Sequence, residues 1–450
     1  MENRRRSAFW ILAALVPAAL LLIAIARLAV NIPYWDDWRW ADMVIKFDTH
    51  QLTFADLWHP EVEHRLLVPS LVALGLSRFG GYSTVVESYF SWACSLVSLG
   101  CLYVLVKETM NERARGPVLF VQSALLFSLA QLTTYLWGFQ IAWIMINTLA
   151  LVVLALLAPA RTGTLRFMLA LAAGIAAALS SAQGLLVLPL GFFVLAVRRP
   201  RPNRFLLLWA LASVVVILVY VPGLHAHLRD EGLTLGGQAV RVLVGPIVLG
   251  APVAGWSGVL GAFVAGMIVL LFTAAATVVC VRLLAEESNE ASRWVPWLGL
   301  TLFGVIGSLV IAFARGALGL SYGLQERYIT MAAMAWIGLV PLYALQLETL
   351  RARTPQRVLT WVLLGGILAL SLARESVSTI PQNVGARERR LAQVELIHRY
   401  QSVTDAELIV KIFPNDSARA FMRLNAFPSP DEIRRLLAGL EANHEGPFRE

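Results

Sequence analysis

The chain has 450 residues, 58% hydrophobic and only 15% charged, with a mean hydropathy of +0.67. A soluble globular chain carries about 25% charged residues, so an ordinary soluble domain is excluded. Apolar runs of about 20 residues, enough to cross roughly 30 Å of hydrocarbon, indicate an all-α polytopic membrane protein. The net charge of +8 sits mainly in short loops between those runs, which is a positive-inside bias and not the basic stripe of a nucleic-acid binder.

Arg4, Arg5 and Arg6 precede an apolar run from Phe9 to Val30, too long for a cleaved signal segment. It reads as a retained first helix with a cytoplasmic N-terminus. Further spans are expected at about 84–106, 117–136, 139–158, 165–181, 183–197, 205–223, 257–281, 295–314, 328–347 and 358–374, giving about eleven in all. The stretch 239–255 is apolar but broken by Gly245, Pro246, Gly250, Pro252 and Gly255, and reads as re-entrant or interfacial. With that assignment Lys107, Arg113, Arg115, Arg161, Arg166, Arg198, Arg199, Arg201, Arg204, Arg282, Arg293, Arg351, Arg353 and Arg357 share the side of Arg4, as positive-inside requires. Cys94, Cys101 and Cys280 all lie in apolar runs, as small core fillers.

The first outer loop, 31–82, holds two expected interfacial helices, Phe54–Trp58 and Leu66–Phe79. A second holds His225, His227, Arg229, Asp230 and Glu231, read as solvated. The membrane part is thus 1–374. The tail, 375–450, is charged and helical, and an odd number of spans puts it outside. Ser429-Pro430-Asp431-Glu432 is a helix start, with Ser as cap, Pro in the first turn and Glu three residues on. Ile433, Leu436, Leu437 and Leu440 follow as one apolar face, to be buried against the outer loops; Arg387–Tyr400 and Asp405–Ile412 read as two more short helices.

The polar residues able to do chemistry come from separate loops that this topology brings to one face. Asp36 and Asp37 lie among Trp35, Trp38 and Trp40 just after the first span; a carboxylate held there can take the proton of a sugar hydroxyl. On extended backbone two adjacent acids point opposite ways, so one at most faces the reaction. Glu61-Val62-Glu63-His64-Arg65 offers phosphate handling, Arg65 by bidentate contact and His64 by proton donation, with Glu63 in support. Asp36, His59, Glu61 and His64 are alternative ligands for a divalent metal, though their spacing matches no metal signature. Arg327, flanked by Glu326 and Tyr328, can neutralise a lipid-linked phosphate, or simply snorkel to the interface. Gln183 stands beside Gly184, whose missing side chain allows close backbone approach. Trp137 and Gln140 offer a stacking surface and a hydrogen-bonding partner for a sugar, or an interfacial aromatic belt. No phosphate-binding glycine loop, G-x-S-x-G or H-E-x-x-H motif occurs, and no cofactor is demanded.

A long outer loop with Asp36-Asp37-Trp38 directly after the first span and Glu63-His64-Arg65 before an interfacial helix resembles the GT-C superfamily of integral-membrane glycosyltransferases, in particular bacterial members of unassigned substrate. The resemblance implies inverting transfer from a polyprenyl-phosphate-linked sugar to a glycolipid or cell-envelope glycan hydroxyl. The reaction would take place on the outer face of the bacterial cytoplasmic membrane, with Asp36 or Asp37 as base. The acidic pair departs from the Asp-Glu of protein mannosyltransferases, and the Trp-Trp-Asp-type tail motif of oligosaccharyltransferases is missing, so protein acceptors are not expected. A transporter or flippase for a polysaccharide or lipid-linked precursor is the alternative; it calls for internal repeats and mid-membrane charges, whereas Glu87 is the clearest charge inside a span. A glycan polymerase, ligase or acyltransferase is a third reading.

Overall fold

The computed structural model describes residues 2–61, 63–159, 163–198, 201–224, 235–349, 354–412 and 429–449. The His225–Glu231 loop, Arg161, Arg199, Arg351 and Arg353 lie outside the described residues. The helices are α1 (Glu2–Leu28), α2 (Asp37–Asp48), α3 (Phe54–Trp58), α4 (Leu67–Gly80), α5 (Thr84–Thr109), α6 (Glu112–Leu126), α7 (Leu132–Tyr135), α8 (Ile141–Leu157), α9 (Thr164–Ala178), α10 (Val187–Ala196), α11 (Asn203–Tyr220), α12 (Leu235–Ala254), α13 (Gly258–Ala285), α14 (Ala291–Arg315), α15 (Glu326–Thr349), α16 (Thr354–Ile397), α17 (Asp405–Ile412) and α18 (Pro430–Ala442). Among the described residues no strand forms beyond an isolated bridge between Glu61 and His64.

Eight helical stretches among the described residues are long and apolar enough to cross a membrane, so this is a multi-pass membrane protein. The expected eleven are not reproduced. Thr164–Ala178 and Ala182–Ala196 are shorter apolar helices; fifteen residues at about 1.5 Å each reach only about 22 Å, less than the hydrocarbon thickness. The stretch 239–255 is not broken by its prolines: α12 carries Pro246 and Pro252 inside it. After a turn at Gly255–Ser257, α13 packs back along α12, with Gly250 against the Ala262 carbonyl and Gly266 against the Pro246 carbonyl. Contacts this close leave no room for side chains at either glycine. Helix α16 runs unbroken for 44 residues through the expected boundary at 374/375, and it absorbs most of what reads in sequence as a separate helix over Arg387–Tyr400.

Interhelical bonds identify the two ends of the bundle. At one end Arg293 donates to the Thr109 carbonyl (2.6 Å) and to Glu348 (2.8 Å), and Trp297 donates to the Thr109 hydroxyl (2.8 Å). At the other end the first loop, the turns before α8 and α10, the start of α15 and the tail come together. A separate apolar cluster there joins Trp38, Trp40 and Val44 of α2 to Phe139, Leu396, Leu408, Ile433, Leu436, Leu437 and Leu440. Helix α18 starts as its sequence predicts, with the Ser429 hydroxyl accepting the Glu432 N–H, and its four apolar residues are buried. Arg435 pairs with Asp42 at 2.7 Å, and Asn31 donates to the Gly446 carbonyl at 2.6 Å. Burying each of those four side chains stabilises the docked tail by about 1.5–3 kcal/mol, so the tail is part of the site's wall and not a loose appendage.

Candidate active site

The site begins with a local surprise: Asp36 and Asp37 do not lie on extended backbone. Asp36 has helical dihedrals (φ −67°, ψ −10°) and Asp37 opens α2. The signal was in the sequence, since Trp38, Ala41 and Ile45, with Trp40 and Val44, fall at helical spacing and are all buried. Before them Trp35 takes a left-handed φ of +50°, which for a bulky residue costs about 1–3 kcal/mol and needs surrounding structure to hold it. The turn at Trp35 feeds directly into α2 and sends the two carboxylates in different directions.

Asp37 goes inward. It is wholly buried, and its two oxygens accept the N–H of Tyr34 (3.0 Å) and of Phe139 (2.7 Å). The bond to Phe139 ties the first loop to the turn before α8. That turn needs Gly138, because a Cβ there would fall on the Glu87 carboxylate and close to Asp37. Burial raises the Asp37 carboxyl to about 7 against the pull of the two amides and of Arg390. Arg390 donates to the Leu136 carbonyl at 2.8 Å and lies over the Tyr34 ring at 4.6 Å.

Asp36 faces a cavity of about 480 Å³ between α2, α3 and α18. Desolvation raises its carboxyl from an ordinary 3.8 to about 6, opposed by the charges of Arg327 and Arg39. Three residues on, one helical turn, Arg39 pairs with Glu61 and donates to the His59 carbonyl at 2.9 Å. Arg327 donates to the Tyr322 hydroxyl at 2.6 Å and is surrounded by the rings of Tyr328 (5.2 Å), Tyr322 (5.6 Å) and Trp137 (6.0 Å). Glu326 instead accepts the Thr133 N–H at 3.2 Å and anchors the start of α15 to α7.

The Glu63-His64-Arg65 stretch separates into distinct jobs. Glu63 pairs with Arg315 at 2.6 Å. His64 Nδ1 accepts the Ala182 N–H at 3.2 Å and lies 3.3 Å from the Ser181 hydroxyl, which donates to Gln183 at 2.7 Å. Burial lowers the His64 pKa below its ordinary value, opposed by Glu63 and aided by Arg315; with Nδ1 accepting from Ala182, the neutral ring carries its proton on Nε2, 3.5 Å from Glu63. Gly184 makes this approach possible, since a Cβ there would collide with the Ala177 carbonyl.

Arg65 does not face the cavity. Its guanidinium is buried against Trp58 at 4.4 Å and donates to the carbonyls of Tyr220 (2.8 Å), Trp58 (2.5 Å) and Pro222. A buried cation held by three carbonyls serves as a staple between the first loop and α11; that corrects its expected phosphate contact. Trp137 and Gln140 are buried too, Trp137 edge-on to Tyr34 at 5.3 Å, so they form wall and not the exposed sugar platform expected of them. Nor do Asp36, His59, Glu61 and His64 form a ligand set: Glu61 is taken by Arg39, the His64 Nδ1 is occupied, and among the described residues no group of three His, Cys, Asp or Glu could hold a metal.

Sequence reasoning missed Arg39, Tyr322 and Arg390. The i, i+3 spacing of Asp36 and Arg39 on a helix was a usable signal. Nothing in sequence brings Arg390 to Tyr34.

No protein-family model matches the chain, and no curated protein does. Among solved structures it is similar to the oligosaccharyltransferase AglB of Archaeoglobus fulgidus in complex with an inhibitory peptide and a dolichol-phosphate (TM-score 0.46, 11% identity, 94% of this chain and 60% of that one). It is also similar to an Archaeoglobus fulgidus oligosaccharyltransferase tethered to an acceptor peptide (TM-score 0.46, 11% identity, 89% and 59%) and in the apo form (TM-score 0.42, 13% identity, 82% and 56%). The chain spans about 60% of the length of the first of these.

Proposed function

We propose that the chain is a GT-C-type membrane glycosyltransferase. It moves a sugar from a polyprenyl-phosphate carrier to a hydroxyl of a glycolipid or cell-envelope glycan, with inversion, on the outer face of a bacterial cytoplasmic membrane. The single observation that carries this reading is the division of labour in the acidic pair: Asp37 is used up by two backbone amides, whereas Asp36 opens on the cavity under the charges of Arg39 and Arg327. A carboxyl near 6 is mostly ionised at pH 7 yet basic enough to accept a proton in a transition state.

In this reading Asp36 is the general base. It removes the acceptor hydroxyl's proton as that oxygen bonds to the anomeric carbon, while the bond from that carbon to the phosphate oxygen breaks. Arg327 faces the phosphate, whose charge grows as it leaves; a preorganised cation there contributes in the transition state above all. Tyr322 and Tyr328 hold the guanidinium in place, and neutral His64 with the Glu63–Arg315 pair borders the same end of the bundle. Holding hydroxyl and anomeric carbon in line supplies much of the rate. The prenyl tail lies between helices. Reconstituted protein supplied with a polyprenyl-phosphate sugar and membrane glycolipid tests the reading: Asp36→Asn, present at normal level, loses transfer by about 10²-fold or more, and full transfer by that variant removes the base from the scheme.

A further inference from the structure

The Asp36 carboxylate stands under the charge of two guanidinium groups and pairs with neither. It makes no side-chain cap bond to α2, and among the described residues no side chain pairs with it. Arg39 follows three residues on, the spacing at which an acid and a guanidinium on one helix face join. It turns away instead, to Glu61 and to the His59 carbonyl at 2.9 Å. Arg327 donates to the Tyr322 hydroxyl at 2.6 Å. The other cations at this cavity are engaged as well: Lys46 bridges Asp42 (3.0 Å) and Asp56 (2.8 Å), and Arg435 of α18 reaches Asp42 (2.7 Å) and Glu432 (3.8 Å).

Glu61 is itself fixed by backbone. Its N–H donates to the His64 carbonyl and its carbonyl accepts the His64 N–H, both at 2.8 Å. Three residues earlier, the Trp58 carbonyl accepts from buried Arg65 at 2.5 Å. A guanidinium tied at two points to a loop held in this way closes on Asp36 only by breaking both bonds. We propose that Glu61 is a positioning residue: by holding Arg39 to the loop it keeps that guanidinium off Asp36, and so leaves the base free for an acceptor hydroxyl. The inference rests on the transferase reading and adds to it a residue that acts through Arg39. Arg39 at its present distance only opposes the burial that raises Asp36 to about 6. In contact it would lower a carboxyl by about one to three units more, and cover the oxygens that a hydroxyl must reach.

Glu61→Gln tests this, since it keeps the backbone bridge to His64 and the side-chain length but loses the charge that holds Arg39. Protein in lipid nanodiscs is followed in two ways. One is the pH profile of transfer from a polyprenyl-phosphate sugar to membrane glycolipid. The other needs no substrate: the pH at which the melting advantage of Asp36→Asn over its own parent levels off, which reads the ionisation of Asp36. Both lie near 6 in the unaltered protein. In Glu61→Gln both move down by at least about one pH unit, and transfer at pH 7 falls about threefold or more as the base weakens. In an Arg39→Gln background Glu61→Gln moves neither. An unmoved titration in Glu61→Gln overturns the proposal. So does an equal shift with Arg39 replaced, because the charge of Glu61 would then act on Asp36 directly. A melting titration that shifts as stated, with no transfer to any acceptor, upholds the hold on Arg39 and sinks the transferase reading; full transfer with an unmoved titration does the reverse.

Discussion

Replacing Asp36 by Asn tests whether the cavity-facing, partly buried carboxylate is kept for chemistry at the expense of stability. Its pKa of about 6 lies above the ordinary 3.8 because the loss of hydration on folding outweighs the attraction of Arg327 and Arg39. Below about pH 4 the group is protonated in both folded and unfolded chains and its titration contributes nothing. Between about 4 and 6 the folded chain binds more protons, so stability falls as pH rises, and above 6 the full penalty applies. Two pKa units at about 1.4 kcal/mol each give about 3 kcal/mol. That is an upper bound, since the cavity admits water that screens the charge. An amide carries no such penalty. Asp36→Asn therefore melts higher than the parent at pH 8 and at the same temperature near pH 4, in nanodiscs followed by intrinsic fluorescence. In the same samples the parent's transfer rate rises through an apparent pKa near 6, and the variant has no such limb. A variant less stable at pH 8, or a gain independent of pH, refutes the argument that burial dominates at this carboxyl.

Arg65→Ala leaves three carbonyls without their buried partner and lowers the melting point by an amount equivalent to about 3 kcal/mol, with any loss of transfer following loss of folded protein. Arg327→Ala keeps its melting point within a few degrees, but raises the KM for the lipid-linked donor more than that for the acceptor. Leu437→Ala costs about 2–5 kcal/mol at a fully buried position, and limited proteolysis then cuts the tail before the membrane part is touched.

How much of this could be read from sequence depended on the range of the interaction. The membrane class, α3, α4 and the capped start of α18 follow from local composition and periodicity, and they appear with nearly the expected bounds. The count of eleven spans is not confirmed where apolar character outlasts helix length, at α9 and α10, and the expected boundary at 374/375 is passed by α16, a helix that leaves an apolar run and continues through charged residues. Hydropathy measures solvent preference and does not see where a backbone hydrogen-bond ladder ends. The convergence of the candidate loops followed from topology, and bonds such as Asp37 to Phe139, Glu63 to Arg315 and His64 to Ala182 bring them together at one end of the bundle. The role of each residue within the cluster did not follow. Arg65 and Arg327 look alike in sequence; one is surrounded by carbonyls and the other by aromatic rings.

In the proposed reaction the two members of the acidic pair would divide the work. A base must be held firmly and yet remain free to take a proton. A lone carboxylate cannot meet both demands, because every hydrogen bond that fixes it also stabilises its charge and lowers its basicity. Here the demands fall on neighbouring residues. Asp37 takes the amides, and through the Phe139 bond it sets the position of α2 against the bundle. Asp36, one residue earlier at the same helix start, is then placed by the backbone, and its basicity is left to burial and to two guanidinium groups. Burial still leaves Asp37 the more basic of the two, about 7 against about 6, but it is wholly buried with both oxygens bonded, so it is access to the cavity and not greater basicity that favours Asp36 as the base in the proposed reaction.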